Sequence, residues 1–236
     1  MTGVVPEPVR APAPEPPAHC GEGDAAVALD ERAADERRAA GLPVVTRAEF
    51  DASRASVDDL PWPGAFNARD LGGIPVDGGV VRRGVLFRSG QPEAWTPAGW
   101  REAAAGGVRR VLDLRDPREP RSRPDGAEAV GIAVAHCAVD DPDDAAFRER
   151  FVPYLDHTAG YRDFVGMFGD RVAAAVGRVV ADGPGTVVCC SAGRDRTGLV
   201  TGMLLRALGA PIAALQDADE RAVRSVNHRH LVRTTR

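Results

Sequence analysis

From about residue 60 onward, short apolar runs alternate with longer stretches in which apolar side chains recur at helical spacing. The runs typical of buried strands are VRRVLDL at 108–114, GIAVAHCAV at 131–139 and TVVCC at 186–190. Residues 160–181 are predicted to form a long amphipathic helix. Strands that alternate with helices predict an α/β domain with a central mixed, partly parallel sheet that is flanked by helices.

Turn and capping residues divide the same region into further elements. Asp77-Gly78-Gly79 predicts a tight turn between two short strands. Thr96 is the predicted N-cap of a helix that ends near Ala105. Shorter helices are predicted over 147–154 and 197–208, the second of them directly after a polar loop.

The composition divides the chain into three regions. Residues 1–24 are rich in proline, alanine and glutamate, which predicts a disordered tail. Residues 25–59 are expected to form a helical and linker extension, with a solvated helix from Ala25 to Ala40. The predicted folded domain spans residues 60–236.

Charge and cysteine content exclude several classes of protein. The chain has 236 residues with 30 positive charges, all of them arginine, and 34 carboxylates, for a net charge of −4. A general nucleic-acid binder would be basic over a whole face, so nucleic acid is not an expected partner. Four cysteines are too few for a disulfide scaffold in a chain of this length. With no secretory signal and no apolar run that could span a membrane, we expect a cytoplasmic protein.

The polar loop after the TVVCC run carries the residues that indicate chemistry. A cysteine and an arginine separated by five residues are a weak signal by themselves. A glycine within the loop, a threonine directly after the arginine, a strand before it and a helix after it make the pattern specific. The loop and the first helical residue read Cys190-Ser191-Ala192-Gly193-Arg194-Asp195-Arg196-Thr197.

This pattern predicts an anion site around a nucleophile. If the loop curls around one centre, its backbone N–H groups converge there with a helix N-terminus, as in phosphate sites. The same dipoles, together with Arg196, favour the thiolate of Cys190 near neutral pH. Arg196 offers a planar fork to two oxygens of a phosphoryl group. Thr197 can donate its hydroxyl to the sulfur when it leaves.

The loop resembles the signature of the bacterial tyrosine-phosphatase-like family within the cysteine-dependent protein-tyrosine and dual-specificity phosphatases. This family includes the mycobacterial phosphatases of phosphotyrosine and phosphoinositides. The match extends upstream in the order of the family, over about residues 60–220. The matching blocks are Asn67-Ala68-Arg69-Asp70-Leu71-Gly72-Gly73, Arg83-Gly84, Phe87-Arg88-Ser89-Gly90 and Val111-Leu112-Asp113-Leu114-Arg115 with Glu119.

The resemblance implies a phosphomonoester hydrolase that works through a cysteinyl-phosphate intermediate and needs no metal or other cofactor. It implies a phosphorylated protein or a phosphoinositide as substrate, with Cys190 and Arg196 as catalytic residues. Ser191, Ala192, Gly193, Arg194 and Thr197 would bind the phosphate. The family assigns the general acid to the position of Asp195. The alternative is the loop that follows a strand, as in the wider superfamily, with Asp141 first among Asp140, Asp141, Asp143 and Asp144.

Cys189 stands where the family has a histidine that supports the loop from behind. A second function therefore stays open, which is a phosphate-binding module of pseudophosphatase type with weak or no turnover. A thiol redox or sulfur-transfer enzyme also uses a cysteine between a strand and a helix, but the Arg196-Thr197 pair and the upstream blocks disfavour it. The sequence predicts no oligomeric state.

Overall fold

The computed structural model describes residues 28–29, 45–46, 60–119, 125–150 and 160–234. Within them the strands are β1 Ala28–Leu29, β2 Val45–Thr46, β3 Arg69–Asp70, β4 Pro75–Val76, β5 Gly79–Val80, β6 Leu86–Ser89, β7 Arg110–Asp113, β8 Ala133–His136 and β9 Thr186–Cys189. The α-helices are α1 Pro97–Ala105, α2 Asp125–Ala129, α3 Ala145–Arg150, α4 Tyr161–Asp182, α5 Asp195–Ala207 and α6 Ile212–Thr234.

The main sheet has five strands in the order β3-β6-β9-β7-β8. The strands β6, β9, β7 and β8 run parallel, and β3 pairs antiparallel with β6 at one edge. This arrangement confirms the predicted α/β class with a mixed, partly parallel sheet. Strand β9, which leads into the cysteine loop, lies at the centre.

Side chains of the central strands alternate between two apolar cores, as the two-residue period of a strand requires. Val188 belongs to the core on the face that packs against α3, α4 and α5. Val187 belongs to the core on the other face, which contains Trp62, Trp95 and Trp100. The sheet is therefore covered on both sides, which explains why its strands read as continuous apolar runs in the sequence.

The predicted boundaries within the domain agree with the structure to within a few residues. The turn at Asp77 joins the antiparallel pair β4 and β5, and the Thr96 side chain accepts a hydrogen bond from Gly99 N at the start of α1. Helix α3 begins earlier than predicted, because the Asp144 side chain caps it by accepting from Phe147 N at 2.9 Å. The end of the helix predicted over 147–154 lies outside the described residues.

The N-terminal extension differs from the prediction where it is described. Ala28–Leu29 and Val45–Thr46 form a short parallel strand pair that makes up a separate sheet. The helix predicted from Ala25 to Ala40 is therefore wrong at Ala28 and Leu29. These two residues are extended because they pair with Val45 and Thr46, and helical periodicity within 25–40 carries no information about that pairing. The rest of that helix and the tail 1–24 lie outside the described residues. In the described part of the chain, no helix is both long and apolar enough to cross a bilayer.

Candidate active site

The sheet register brings several loops to one edge. Ser89 and Asp113 both pair with Cys189, and His136 pairs with Asp113, so four parallel strands end side by side. In sheets of this kind, ligands bind outside the carboxyl ends of the strands. The segments that follow these strand ends bring together Gln91, Glu119, Asp140 and the cysteine loop.

Cys190 directly follows the central strand and precedes helix α5. Its side chain is buried, 2% exposed, in the core beneath α4 and α5. The neighbouring Cys189 is fully buried in the opposite core, near Trp95 and Phe87. Burial, with the nearby charge of Asp113, raises the pKa of Cys189 well above its usual range. The two cysteines therefore point to opposite faces of the sheet. Cys190 lies on the face covered by α4 and α5, and Cys189 packs as a neutral thiol in the other core.

The loop carbonyls are held from outside the loop. Gln91 N donates to Ser191 O at 3.0 Å. Asn67 Nδ2 donates to Ala192 O at 3.0 Å and to Gly193 O at 2.9 Å. Four successive carbonyls are engaged in this way, because Arg88 Nη2 contacts Gly193 O at 2.7 Å and Arg194 O at 3.3 Å.

These contacts define where the loop amides point. In a planar trans peptide, the C=O of one residue and the N–H of the next point in opposite directions. The N–H groups that follow the four engaged carbonyls, from Ala192 to Asp195, are therefore turned away from Asn67 and Arg88. Gly193 permits the curl with a φ of +68°, and a Cβ there would lie 2.4 Å from the Ser89 backbone.

Arg196 is held at its place in the first turn of α5 by two acidic side chains. Its Nη2 donates to Glu119 Oε2 at 3.1 Å and its Nη1 donates to Glu119 Oε1, so Glu119 grips both terminal nitrogens. Nη1 also contacts Asp140 Oδ2 at 3.2 Å. Burial opposes the charge of Arg196, but the Glu119 hydrogen bonds and the charges of Cys190 and Asp140 raise its pKa above the ordinary value. No described residue accepts from Nε, so one edge of the guanidinium remains available.

The carboxylates of the 140–144 loop have different surroundings. Asp141 accepts from Arg118, Arg171 and Asp143 N, and the hydrogen bond from Asp143 N leads the effects that lower its pKa. Asp140 is buried beside Arg196, and its Oδ1 has no hydrogen-bond partner among the described residues. Burial raises the pKa of Asp140 despite the opposing charge of Arg196. The structure thus places Asp140 against Arg196. Asp141, the first acid candidate of this loop in the sequence, is bound to Arg118 and Arg171 instead.

Asp195 begins helix α5 and is bound by two donors. Its Oδ1 accepts from the Tyr161 hydroxyl at 2.7 Å and from Arg194 Nε at 3.0 Å. Burial and the charge of Asp195 raise the pKa of Tyr161, which therefore stays a neutral donor. The Asp195 carboxylate is therefore held in the first turn of α5 by one neutral and one charged donor.

The remaining loop residues differ in their exposure. Ser191 is exposed, Ala192 and Arg194 are partly exposed, and Thr197 is fully buried. The Thr197 hydroxyl has no hydrogen-bond partner among the described residues, and its donation to the sulfur as the sulfur leaves stays a prediction.

Four residues at the site were not assigned a role from the sequence. Tyr161 begins a predicted helix, and its position gave no signal. The other three lie in or next to the upstream blocks, which the resemblance identified without explaining: Asn67, Gln91 and Glu119. Their contacts join residues 77 or more positions apart, so no local pattern could reveal them. For Arg88 and Asp70 the sequence left open whether they line the cleft or pair structurally. Asp70, in the same blocks, is structural, since its carboxylate accepts from Gly72 N and Gly84 N.

A mixed, mostly parallel sheet whose central strand leads through a cysteine loop into a helix defines the class of this protein, which is an α/β protein with its candidate site at the carboxyl edge of the sheet. The tyrosine phosphatase family matches residues 60–217, and the chain belongs to that family.

Two relatives and one solved structure illustrate the similarity. A protein of Cupriavidus necator that is provisionally named a tyrosine-protein phosphatase is 29% identical to this chain over 194 residues. The match covers 70% of this chain and 63% of that protein. The triple specificity protein phosphatase PtpB of Mycobacterium tuberculosis is 31% identical over 176 residues, 62% of this chain and 63% of that protein. The chain thus spans less than two thirds of either relative. The catalytic core of Siw14 matches with a TM-score of 0.43 and 12% identity, over 70% of this chain and 82% of that one.

Proposed function

We propose that this protein hydrolyses phosphomonoesters, with phosphotyrosine in proteins as the main substrate, through a cysteinyl-phosphate intermediate. The observation that supports this most is the outward bonding of four successive loop carbonyls. It leaves the intervening amides directed to the side where an oxyanion would bind next to Cys190. A phosphoryl group in that position would meet donors that need no rearrangement during reaction.

The reaction has two balanced steps. In the first, the Cys190 thiolate attacks phosphorus, an S–P bond forms, and the P–O ester bond breaks with its electron pair on the leaving oxygen. A carboxylic acid gives that oxygen its proton. In the second, water attacks phosphorus and gives a proton to the same carboxylate, and the S–P bond breaks to restore the thiolate. All groups needed for both steps are side chains of this protein and water.

Arg196 would hold the transferred phosphoryl group through its unoccupied edge. Glu119 binds the two terminal nitrogens of Arg196, and Asp140 takes the second hydrogen of Nη1. The N–H of Nε and the remaining hydrogen of Nη2 are then left as a pair of donors on one edge of the guanidinium. A fork of this kind can bind two phosphoryl oxygens at once. Glu119 therefore orients Arg196 without competing for the edge that would face the substrate.

We assign the general acid to Asp195, with Asp140 as the second candidate. For Asp195 to carry a proton, Arg194 has to leave it, and a phosphate in the loop offers Arg194 an alternative partner. Asp140 is favoured by its burial, its raised pKa and its unpartnered Oδ1. The loss of the true acid should slow phenyl phosphate far more than p-nitrophenyl phosphate, whose leaving group needs little protonation. Asp195→Asn and Asp140→Asn, compared on both substrates, decide between them.

Phosphoserine, phosphothreonine and phosphoinositides are further candidate substrates. The M. tuberculosis relative is named for triple specificity, and Arg194 could contact a second phosphate if it swings away from Asp195. A panel of phosphopeptides and phosphoinositides, compared by kcat/KM, defines the range.

The proposal is tested by hydrolysis of p-nitrophenyl phosphate. Cys190→Ser should lower kcat by about 1,000-fold or more, because it removes the nucleophile, while calorimetry should still show tungstate binding to the loop. Cys137→Ser is the matched control, since Cys137 lies outside the loop, and it should retain parental activity. Comparable turnover by Cys190→Ser would refute the proposal.

The phosphate-binding module stays the alternative because Cys189 replaces the family's histidine. It predicts that the parent protein binds tungstate and phosphopeptides but turns over neither aryl phosphates nor phosphopeptides. Turnover that depends on Cys190 would exclude it.

A further inference from the structure

We propose that Asn67 and Arg88 are positioning residues that hold the cysteine loop open toward the oxyanion through their hydrogen bonds to the loop carbonyls. Neither residue belongs to the loop, and neither would touch the substrate. The inference rests on the proposed function, because that function supplies the oxyanion, but its test measures binding and does not require turnover.

Gly193 O is the point where the two residues meet. It accepts from Asn67 Nδ2 at 2.9 Å and from Arg88 Nη2 at 2.7 Å. A carbonyl with two donors, one of them charged, polarises its own peptide unit and strengthens the N–H on the opposite side. That N–H belongs to Arg194, in the middle of the predicted oxyanion site. Arg88 and Asn67 therefore act on the donors of the site through the peptide bond.

The side-chain amide of Asn67 is held with its nitrogen toward the loop, so that it can donate to the loop carbonyls. Asn67 is fully buried, and its φ of +51° lies in the left-handed region, which asparagine tolerates better than most residues. Arg69 Nη2 donates to Asn67 Oδ1 at 2.9 Å, so the amide nitrogen has to face the loop. Both hydrogens of that nitrogen then serve two loop carbonyls. An uncommon backbone conformation, a fixed amide and two long-range bonds together indicate a specific role.

Arg88 is a buried cation with no ion pair within 4 Å among the described residues. Its side chain is 2% exposed on β6. Burial lowers its pKa, and the groups that oppose this effect are Cys190 first, then Asp219, Tyr161 and Asp195. Uncompensated buried charge is costly. The hydrogen bonds that Arg88 makes at this buried position go to the loop carbonyls of Gly193 and Arg194, which indicates that the loop is what Arg88 supports.

The experiment measures two properties in the full-length protein, the Kd for tungstate by calorimetry and the Tm, with binding measured well below the Tm of every variant. The variants are Arg88→Met, which removes the donors, Arg88→Lys, which keeps one donor and the charge, and Asn67→Gly, which keeps the backbone conformation without the amide. Arg82→Met, exposed in the segment before β6, is the matched control.

Each variant has a distinct expected result. Arg88→Met should weaken tungstate binding about tenfold, and Arg88→Lys, which can still donate to Gly193 O, should recover part of that loss. Asn67→Gly should weaken tungstate binding about tenfold, the equivalent of one or two lost hydrogen bonds. Arg82→Met should change neither the Kd nor the Tm.

Unchanged tungstate affinity in Arg88→Met would overturn the role of Arg88, and unchanged affinity in Asn67→Gly would overturn the role of Asn67. A lower Tm with parental tungstate affinity would mean that the two residues only stabilise the fold. If Arg88→Met does not fold, Arg88→Gln, which also removes the charge and keeps a polar end, replaces it with the same expected loss of affinity. A parent that hydrolyses no phosphomonoester but shows the expected shifts would refute the proposed function and leave this inference intact.

Discussion

At the scale of single residues, the neighbours of a carboxylate decide whether it is a structural partner or a candidate proton donor. Asp141 is paired with Arg118 and Arg171, and these contacts help to lower its pKa. Asp140, the adjacent residue, has its pKa raised by burial. The sequence DDPDD could not distinguish the two, because the distinction depends on Arg196 and on burial beneath neighbouring loops.

Asp140→Asn should stabilise the protein, increasingly so as the pH rises. The raised pKa means that folding favours protonated Asp140, so its contribution is full at acid pH and is lost as the pH rises through that pKa. Asparagine cannot ionise and avoids this loss. The Tm difference between variant and parent should therefore grow from about pH 4 to about pH 8.

Asp141→Asn is the matched control and should behave in the opposite way. Its pKa is lowered in the folded protein, so its contribution is present above the ordinary aspartate pKa and lost as the pH falls. Asparagine at 141 should not raise the Tm at pH 8. A Tm gain for Asp140→Asn that is constant across the pH range would contradict the electrostatic explanation.

At the scale of elements, the strand, loop and helix around Cys190 were predictable and their supports were not. The run TVVCC, the glycine in the loop and the amphipathic pattern of α5 are local, so they predicted the strand–loop–helix unit correctly. The segments that hold the loop come from the end of β6 and from the turn before β3. Their residues look like ordinary arginine and asparagine in the sequence, because a bond between residues 67 and 193 leaves no periodic signal.

Gly193→Ala tests the fit between the loop and β6. A Cβ at this position would meet the Ser89 backbone at 2.4 Å and would occupy a φ of +68°. We expect a loss of stability of about 1–3 kcal/mol from the backbone strain and a large loss of tungstate affinity, measured by denaturant unfolding and calorimetry.

Gly202→Ala in helix α5 provides the comparison. A Cβ there meets nothing within 4 Å, so alanine should stabilise the helix by about 0.5–1 kcal/mol and leave tungstate binding unchanged. Equal effects of the two substitutions would mean that the loop does not pack tightly against the end of β6.

At the scale of the whole molecule, parallel pairing assembles the site from distant segments. Four strands end in register, so loops from four parts of the chain meet at one edge. Residues 185–236, with the loop and the helices after it, hold eight arginines and four carboxylates, while the whole chain carries −4. A positive C-terminal segment in an acidic chain suits a dianionic phosphate ester. The fold class could be inferred from the sequence, and the location of the site at the cysteine loop stays a prediction. The strand pairing of the N-terminal extension could not be inferred, because it is non-local.

The domain that begins near residue 60 should be sufficient for catalysis. The family match starts at residue 60, and the strands Ala28–Leu29 and Val45–Thr46 form a sheet of their own. A chain that starts at residue 60 should keep kcat/KM on p-nitrophenyl phosphate within about twofold, a change below 0.5 kcal/mol.

A chain that starts at residue 66 is the control for that truncation. It lacks Trp62, whose buried ring has its centroid 5.1 Å from that of Trp95. Its Tm should therefore be clearly lower than that of the chain that starts at residue 60. If the two truncated chains have the same Tm, the domain boundary does not lie where we place it.

The covalent intermediate provides the most direct test of the central claim, that Cys190 is a nucleophile in an oxyanion-binding loop. The parent protein is mixed with p-nitrophenyl phosphate, quenched in acid within milliseconds and analysed by intact-mass and tandem mass spectrometry. The account predicts a mass increase of one phosphoryl group, located on Cys190 and absent from Cys190→Ser. Turnover without any phosphoryl group on Cys190, or with the group on another residue, would contradict it.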